Sequence, residues 1–137
     1  MSKKQMVAGL YHDGARFVLL IKKNKPGHWQ HGRHNLLGGH VEPMERLDMA
    51  MVREFKEETG LQTKTSDWKH CIVLSGPDWV VHFFVMEGPT FTPIECDEGL
   101  VEWHADIPKT ALNNLRWIIP LMLDNHLVFP IHIQDTK

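Results

Sequence analysis

Residues 44–59 contain neither Gly nor Pro, are rich in good helix formers, and lead directly into Gly60, the residue best suited to stop a helix. Wound at about 100° per residue, a helix over about 44–59 gathers Glu54, Glu57 and Glu58 within an arc of about 100°. Met51, Val52 and Phe55 occupy the adjacent side. One element is thus expected to pack on a sheet while presenting three carboxylates at the edge of a cleft. Like charges at i,i+3 and i,i+4 weaken a helix by about 0.2–0.5 kcal/mol per pair. A hard divalent cation reverses that penalty, and carboxylate oxygens suit Mg²⁺, which commonly binds through a few carboxylates together with substrate phosphates.

The flanking sequence reads as strands with a second helical stretch. Apolar runs within 6–22 flank Asp13-Gly14, a dipeptide that suits a two-residue hairpin turn. A loop at 23–32 contains Asn24, Pro26 and Gly27; a short strand at 35–37 then ends at Gly38-Gly39, which allows a tight turn and lets backbone approach a ligand closely. Strands are expected at 61–75 and 79–87, separated by Gly76-Pro77-Asp78, and again at 100–105. Helical spacing recurs over 108–123, where Pro120 is expected to end, kink or restart the helix. Strands and helices interleave without repeats or linkers, so the expectation is one α/β domain over residues 1–137.

No apolar stretch approaches the roughly 20 residues needed to span a bilayer. The start of the chain has no apolar signal core, and Cys71 and Cys96 form no metal-type pair, so both are expected to be reduced in a cytoplasmic protein. The net charge of −2 is unevenly spread: seven Lys/Arg and one acid occur through Arg33, leaving eight and sixteen for the rest. That basic front either attracts a phosphorylated substrate or, through Lys22, Lys23 and Lys25, solvates a strand end. It does not form the stripe of a nucleic-acid-binding surface.

Gly39, Glu45, Arg53, Glu54, Glu57, Glu58 and Gly60, with apolar Phe55 and Leu61, occupy every fixed position of the Nudix box. The chain therefore resembles the Nudix hydrolase superfamily, of the MutT-like kind, over residues 39–61, and the order of its elements suits that family's α/β/α sandwich with a mixed β-sheet. Met44 stands where the motif commonly has Gly, which bears on the local turn and on no ligand. The resemblance implies hydrolysis of a diphosphate linkage in a nucleotide, with Mg²⁺, or Mn²⁺ in its place, as cofactor. It implies Glu54, Glu57, Glu58 and the Gly38 carbonyl as metal ligands, with Glu45 and Arg53 supporting them. Either Glu57 or a glutamate on a later loop, Glu98 here, would be the general base.

For the substrate, the expected contacts are Trp29, Arg33, Gly39, Asn113 and Trp117. A nucleoside triphosphate, oxidised or not, split to monophosphate and pyrophosphate is the leading expectation. ADP-ribose or another nucleotide-linked diphosphate is the alternative, favoured by Pro77 lying sixteen residues beyond Leu61. A non-catalytic nucleotide sensor is disfavoured by the retained glutamates. Histidines 28, 31, 34 and 40 are expected to be exposed loop residues, since nothing completes a zinc site. The partner is a small-molecule nucleotide, and the oligomeric state is left open between monomer and homodimer.

Overall fold

The computed structural model describes residues 3–135. Its elements are β1 (Lys4–His12), β2 (Val18–Lys23), β3 (His34–Asn35), β4 (Leu37–His40), α1 (Leu47–Thr59), β5 (Lys69–Ser75), β6 (Trp79–Glu87), β7 (Gly99–His104), α2 (Leu115–Leu123) and β8 (Ile131–Gln134). All eight strands join one mixed sheet along the path β3-β2-β1-β6-β5-β8, with β4 on β1 and β7 on β2. The β1–β6 and β5–β8 pairs are parallel and the others antiparallel. Among the described residues no helix is long and apolar enough to cross a membrane.

Alternation along the strands sends side chains to two separate cores. Val7 and Tyr11 of β1, Leu19 and Ile21 of β2 and Phe84 of β6 meet Ala50, Met51 and Phe55 of α1. On the other face Ala8, Leu10, Leu20 and Phe83 meet Leu115, Ile118, Ile119 and Met122 of α2. The helices thus cover opposite faces of the sheet, and α1 has its apolar side fully committed, leaving its glutamates at the margin.

Several boundaries differ from expectation for local reasons. The β1–β2 connection is a five-residue loop rather than a two-residue turn, because the Asp13 carboxylate accepts the backbone N–H groups of Ala15, Arg16 and Phe17 at 2.8–3.0 Å. Helix α1 starts at Leu47 rather than near 44. Met44 has a positive φ of 66°, and the Glu42 N–H donates to the Glu45 carboxylate while the Glu45 N–H donates to the Glu42 carbonyl, closing a turn before the helix. Gly38 and Gly39 do not turn; they lie within β4, opposite Ala8 and Val7.

The expected strand at 61–75 forms only from Lys69, since Thr65–Asp67 winds as a 3₁₀ turn. There the Trp68 indole N–H donates to the Thr63 hydroxyl. Only Leu115–Leu123 of the second helical stretch is helical, and the helix runs through Pro120. The preceding residues are instead tied to β3: the His34 N–H donates to the Thr110 carbonyl, the Leu112 N–H to the His34 carbonyl, and the His34 ring meets the Thr110 hydroxyl at 2.7 Å. His34 is consequently buried rather than an exposed loop histidine. Strand β8 was not expected, because Ile131 and Ile133 are flanked by the polar His132 and Gln134 at a free edge.

A Cβ at Gly9 would lie 2.6 Å from the Met51 methyl and 2.9 Å from the Trp68 ring. The absent side chain is what lets α1 seat closely on β1. Gly9→Ala is therefore expected to cost about 1–3 kcal/mol through overpacking, read as a lower urea midpoint at unchanged m-value. An unaltered midpoint would show that the helix does not depend on this close approach.

Candidate active site

Arg53 stands at the centre of the exposed margin of α1. Its guanidinium makes a two-pronged pair with Glu45, Nε to Oε2 at 2.8 Å and Nη2 to Oε1 at 2.9 Å. Nη1 donates to Glu54 at 3.0 Å and to Glu57 at 3.3 Å, and Nη2 also donates to the His40 carbonyl at 3.1 Å. One side chain thereby fixes the 40–45 segment against the helix and offsets the repulsion among its glutamates. Those hydrogen bonds hold the Glu45 carboxyl below the usual carboxylate range. The Arg53 guanidinium, bonded foremost by Glu45, holds its own proton more firmly than usual.

Glu58 faces inward, 1% exposed. Its Oε1 accepts the Gly38 N–H at 2.8 Å, whereas its Oε2 is buried with no hydrogen-bond partner. Burial pushes this carboxyl up to about 9, against the pull of Lys23 and with the nearby Glu98 and Glu54 adding to the rise. Glu54 is also buried, and burial raises its pKa despite the Arg53 hydrogen bond. Gly39 is what makes room for it, since a Cβ there would lie 2.6 Å from Glu54 Oε1. At Gly38 a Cβ would run into the Val7 carbonyl, so neither residue of the pair tolerates a side chain without displacement.

From the far side of the sheet's end, Lys23 of β2 and Glu98 complete the group. Lys23 Nζ is 4.0 Å from Glu58 Oε2 and 4.0 Å from Glu98 Oε2. Pairing of Lys23 with Gly99 in the β2–β7 ladder, and the Asn24 N–H donating to the Glu98 carbonyl, bring Glu98 there. A cavity of about 640 Å³ adjoins Lys23, its lining including Lys22, Asn24, His31, Ile94 and Leu100. Sequence alone left Lys23 between two roles, because the β2–β7 pairing that aims it is non-local.

The structure thus brings Gly38, Gly39, Arg53, Glu54, Glu57, Glu58 and Glu98 into one region. Among the described residues no three carboxylate, imidazole or thiol groups already converge as a metal cage; Glu57 is turned out toward Arg53, with its side chain 58% exposed. The expected substrate contacts other than Gly39 are not gathered at the carboxylates. Trp29 is 70% exposed and stacks with His28 at 6.0 Å. Arg33 donates to the Ala111 carbonyl at 3.0 Å, fastening the segment before α2. Asn113 and Trp117 lie exposed at the start of α2.

Comparison with known proteins gives the family and the fold. A family model described as NUDIX domain matches residues 3–119. An uncharacterized Nudix hydrolase of Bacillus subtilis, YvcI, is 30% identical over 95 residues, 64% of this chain; the chain spans only 57% of that relative's length. The crystal structure of a MutT protein from Bacillus halodurans superposes with a TM-score of 0.75 at 20% identity, covering 97% of this chain and 90% of that one. A bifunctional NMN adenylyltransferase/ADP ribose pyrophosphatase from Francisella tularensis, complexed with AMP and a Mn ion, gives 0.72 at 19% identity over 88% of this chain and 41% of its own. At these identities the two structures establish likeness of fold.

The raised Glu58 pKa has a definite sign for stability. Over the range from about 4.5 to about 9 the folded chain keeps a proton that the unfolded chain has lost. This group's contribution is therefore complete at the acid end and disappears as the pH rises. In EDTA, urea unfolding at about pH 5.5, 7 and 8.5 is expected to show wild type losing stability relative to Glu58→Gln, on the order of 1 kcal/mol per pH unit. Parallel pH dependence in the two proteins would remove Glu58 as the cause.

Proposed function

The chain belongs to the Nudix family, and from that premise we propose that it is a divalent-metal-dependent pyrophosphohydrolase acting on a diphosphate linkage in a nucleotide. The observation that carries this reading is the buried Oε2 of Glu58, which receives no N–H or hydroxyl donor and has the Glu98 carboxyl against the Glu58 side chain, with Glu54 nearby. An orphaned buried carboxylate oxygen is costly unless a cation completes it. Hard oxygen donors from Glu54, Glu57 and Glu58, with the Gly38 carbonyl, fit Mg²⁺, or Mn²⁺ in its place. The Gly39 cradle supports the same reading, because the Glu54 carboxylate occupies the space that a side chain there would fill.

When bound, the ion supplies neutralisation of the diphosphate and a lower pKa for the attacking water. The chain's own groups do the rest. Arg53 holds Glu54 and Glu57 in register through its 3.0 and 3.3 Å contacts and resists their mutual repulsion. Glu57, the most exposed of the three, takes the proton of the water as general base; Glu98 is the second candidate, placed opposite on its loop. Lys23 faces the cavity and offers positive charge to a phosphate. Trp29, stacked with His28 on one face, presents its exposed ring for a base, Asn113 and Trp117 present edges at the start of α2, and Arg33 steadies that segment.

The leading substrate is a nucleoside triphosphate, oxidised or not, yielding the monophosphate and pyrophosphate. ADP-ribose or a related nucleotide diphosphate is the second reading, favoured by the fold's likeness to a protein named as an ADP ribose pyrophosphatase. Cys71 and Cys96 are both free, which supports a cytoplasmic setting.

A substrate panel with Mg²⁺ or Mn²⁺ and product identification tests the proposal. Monophosphate plus pyrophosphate supports the first reading, and AMP plus ribose phosphate the second. Glu57→Gln is expected to lower kcat about 10²- to 10⁴-fold without loss of fold, and Gly39→Ala to weaken metal binding by displacing Glu54. Binding of nucleotide with no turnover across the panel would instead leave a sensor.

A further inference from the structure

We propose that Lys23 is a built-in counter-cation that holds the place of the divalent ion between Glu58 and Glu98, and so sets how tightly that ion binds. The inference rests on the metal-dependent reading above. Lys23 Nζ sits 4.0 Å from an oxygen of each carboxylate, one on α1 and one on the loop before β7. That distance lies beyond hydrogen-bond reach, so the ammonium acts on both acids through its field and donates to neither. Among the described residues no N–H or hydroxyl donor reaches the Glu58 oxygen it faces, and the Glu98 carboxyl lies against the same side chain. A resident that satisfied this oxygen with a short bond would block a metal; one at 4.0 Å stabilises the charge while leaving the lone pairs unused.

Its placement is built into the fold. The Lys23 N–H donates to the Arg33 carbonyl at 2.9 Å, and the Lys23 carbonyl accepts from Gly32 at 2.8 Å. The Lys23–Gly99 pairing fixes the strand next to Glu98. With its side chain only 14% exposed, the charge is poorly screened by solvent. An incoming divalent ion among the same carboxylates meets a like charge a few ångströms away. This repulsion weakens binding, by about five- to tenfold once the flexible stem has let the ammonium withdraw from the ion. The flexible stem lets the ammonium swing into the adjoining cavity, lined by Lys22, Asn24 and His31, where a phosphate would draw it off the carboxylates. Metal and anion binding are then positively coupled, each relieving the obstacle to the other.

The test is titration of the purified full chain with Mn²⁺ alone, by calorimetry or electron paramagnetic resonance, at fixed pH and ionic strength. Lys23→Met and Lys23→Gln are expected to bind Mn²⁺ about five- to tenfold more tightly than wild type, whereas Lys23→Arg, which keeps the charge, binds like wild type. Inorganic pyrophosphate is expected to tighten Mn²⁺ binding more in wild type than in either neutral variant. Wild-type binding with unchanged or weaker affinity in both neutral variants overturns the role of Lys23 alone. No Mn²⁺ binding by wild type overturns the metal-dependent reading together with this inference.

Discussion

The fan of contacts from Arg53 is the constraint on which the site depends. Three glutamates on one side of a helix repel each other, and two of them are buried, so the arrangement needs a cation that belongs to the protein. Arg53 spends its donors on Glu45, Glu54, Glu57 and the His40 carbonyl. The guanidinium fork suits this task because its donors are rigid and its charge permanent. The same contacts seat the turn at 42–45, which sets where α1 begins. Electrostatics and chain path are settled together.

Glu58 follows a different logic, being fixed from the sheet rather than from its own helix. The Gly38 N–H on β4 meets one carboxylate oxygen, and the other faces Lys23 without a hydrogen bond from it. Because β4 pairs directly with β1, and β1 carries Gly9 beneath Met51, the depth at which α1 packs also sets how far Glu58 is buried. Core packing and the ionisation of the site are linked through two glycines on adjacent strands.

Much of this was legible in the sequence because it is local. The helix, its stop at Gly60, the carboxylate arc and the Arg53–Glu57 relation all follow from spacing along one element. The start of the helix at Leu47 is not legible, because a positive φ at Met44 and the reciprocal Glu42–Glu45 turn leave no mark on hydrophobic spacing. Paired glycines suit a turn as well as a strand, and here their small size serves clearance from Val7 and Glu54. The role of Lys23 and the fastening of His34 and Arg33 to the segment before α2 depend on contacts across some 75 residues, which one sequence does not display. The same holds for the free-edge strand β8, whose polar and apolar residues alternate too briefly to stand out.

The loop at 13–17 carries a practical consequence. The Asp13 carboxylate satisfies three of its amides from within, so its shape is self-contained. It also lies at the opposite end of β2 from Lys23, about 17 Å away along the strand. A fluorophore, affinity handle or linker grafted at its tip leaves the acidic cleft untouched, giving the chain a natural point of attachment for immobilisation or optical readout.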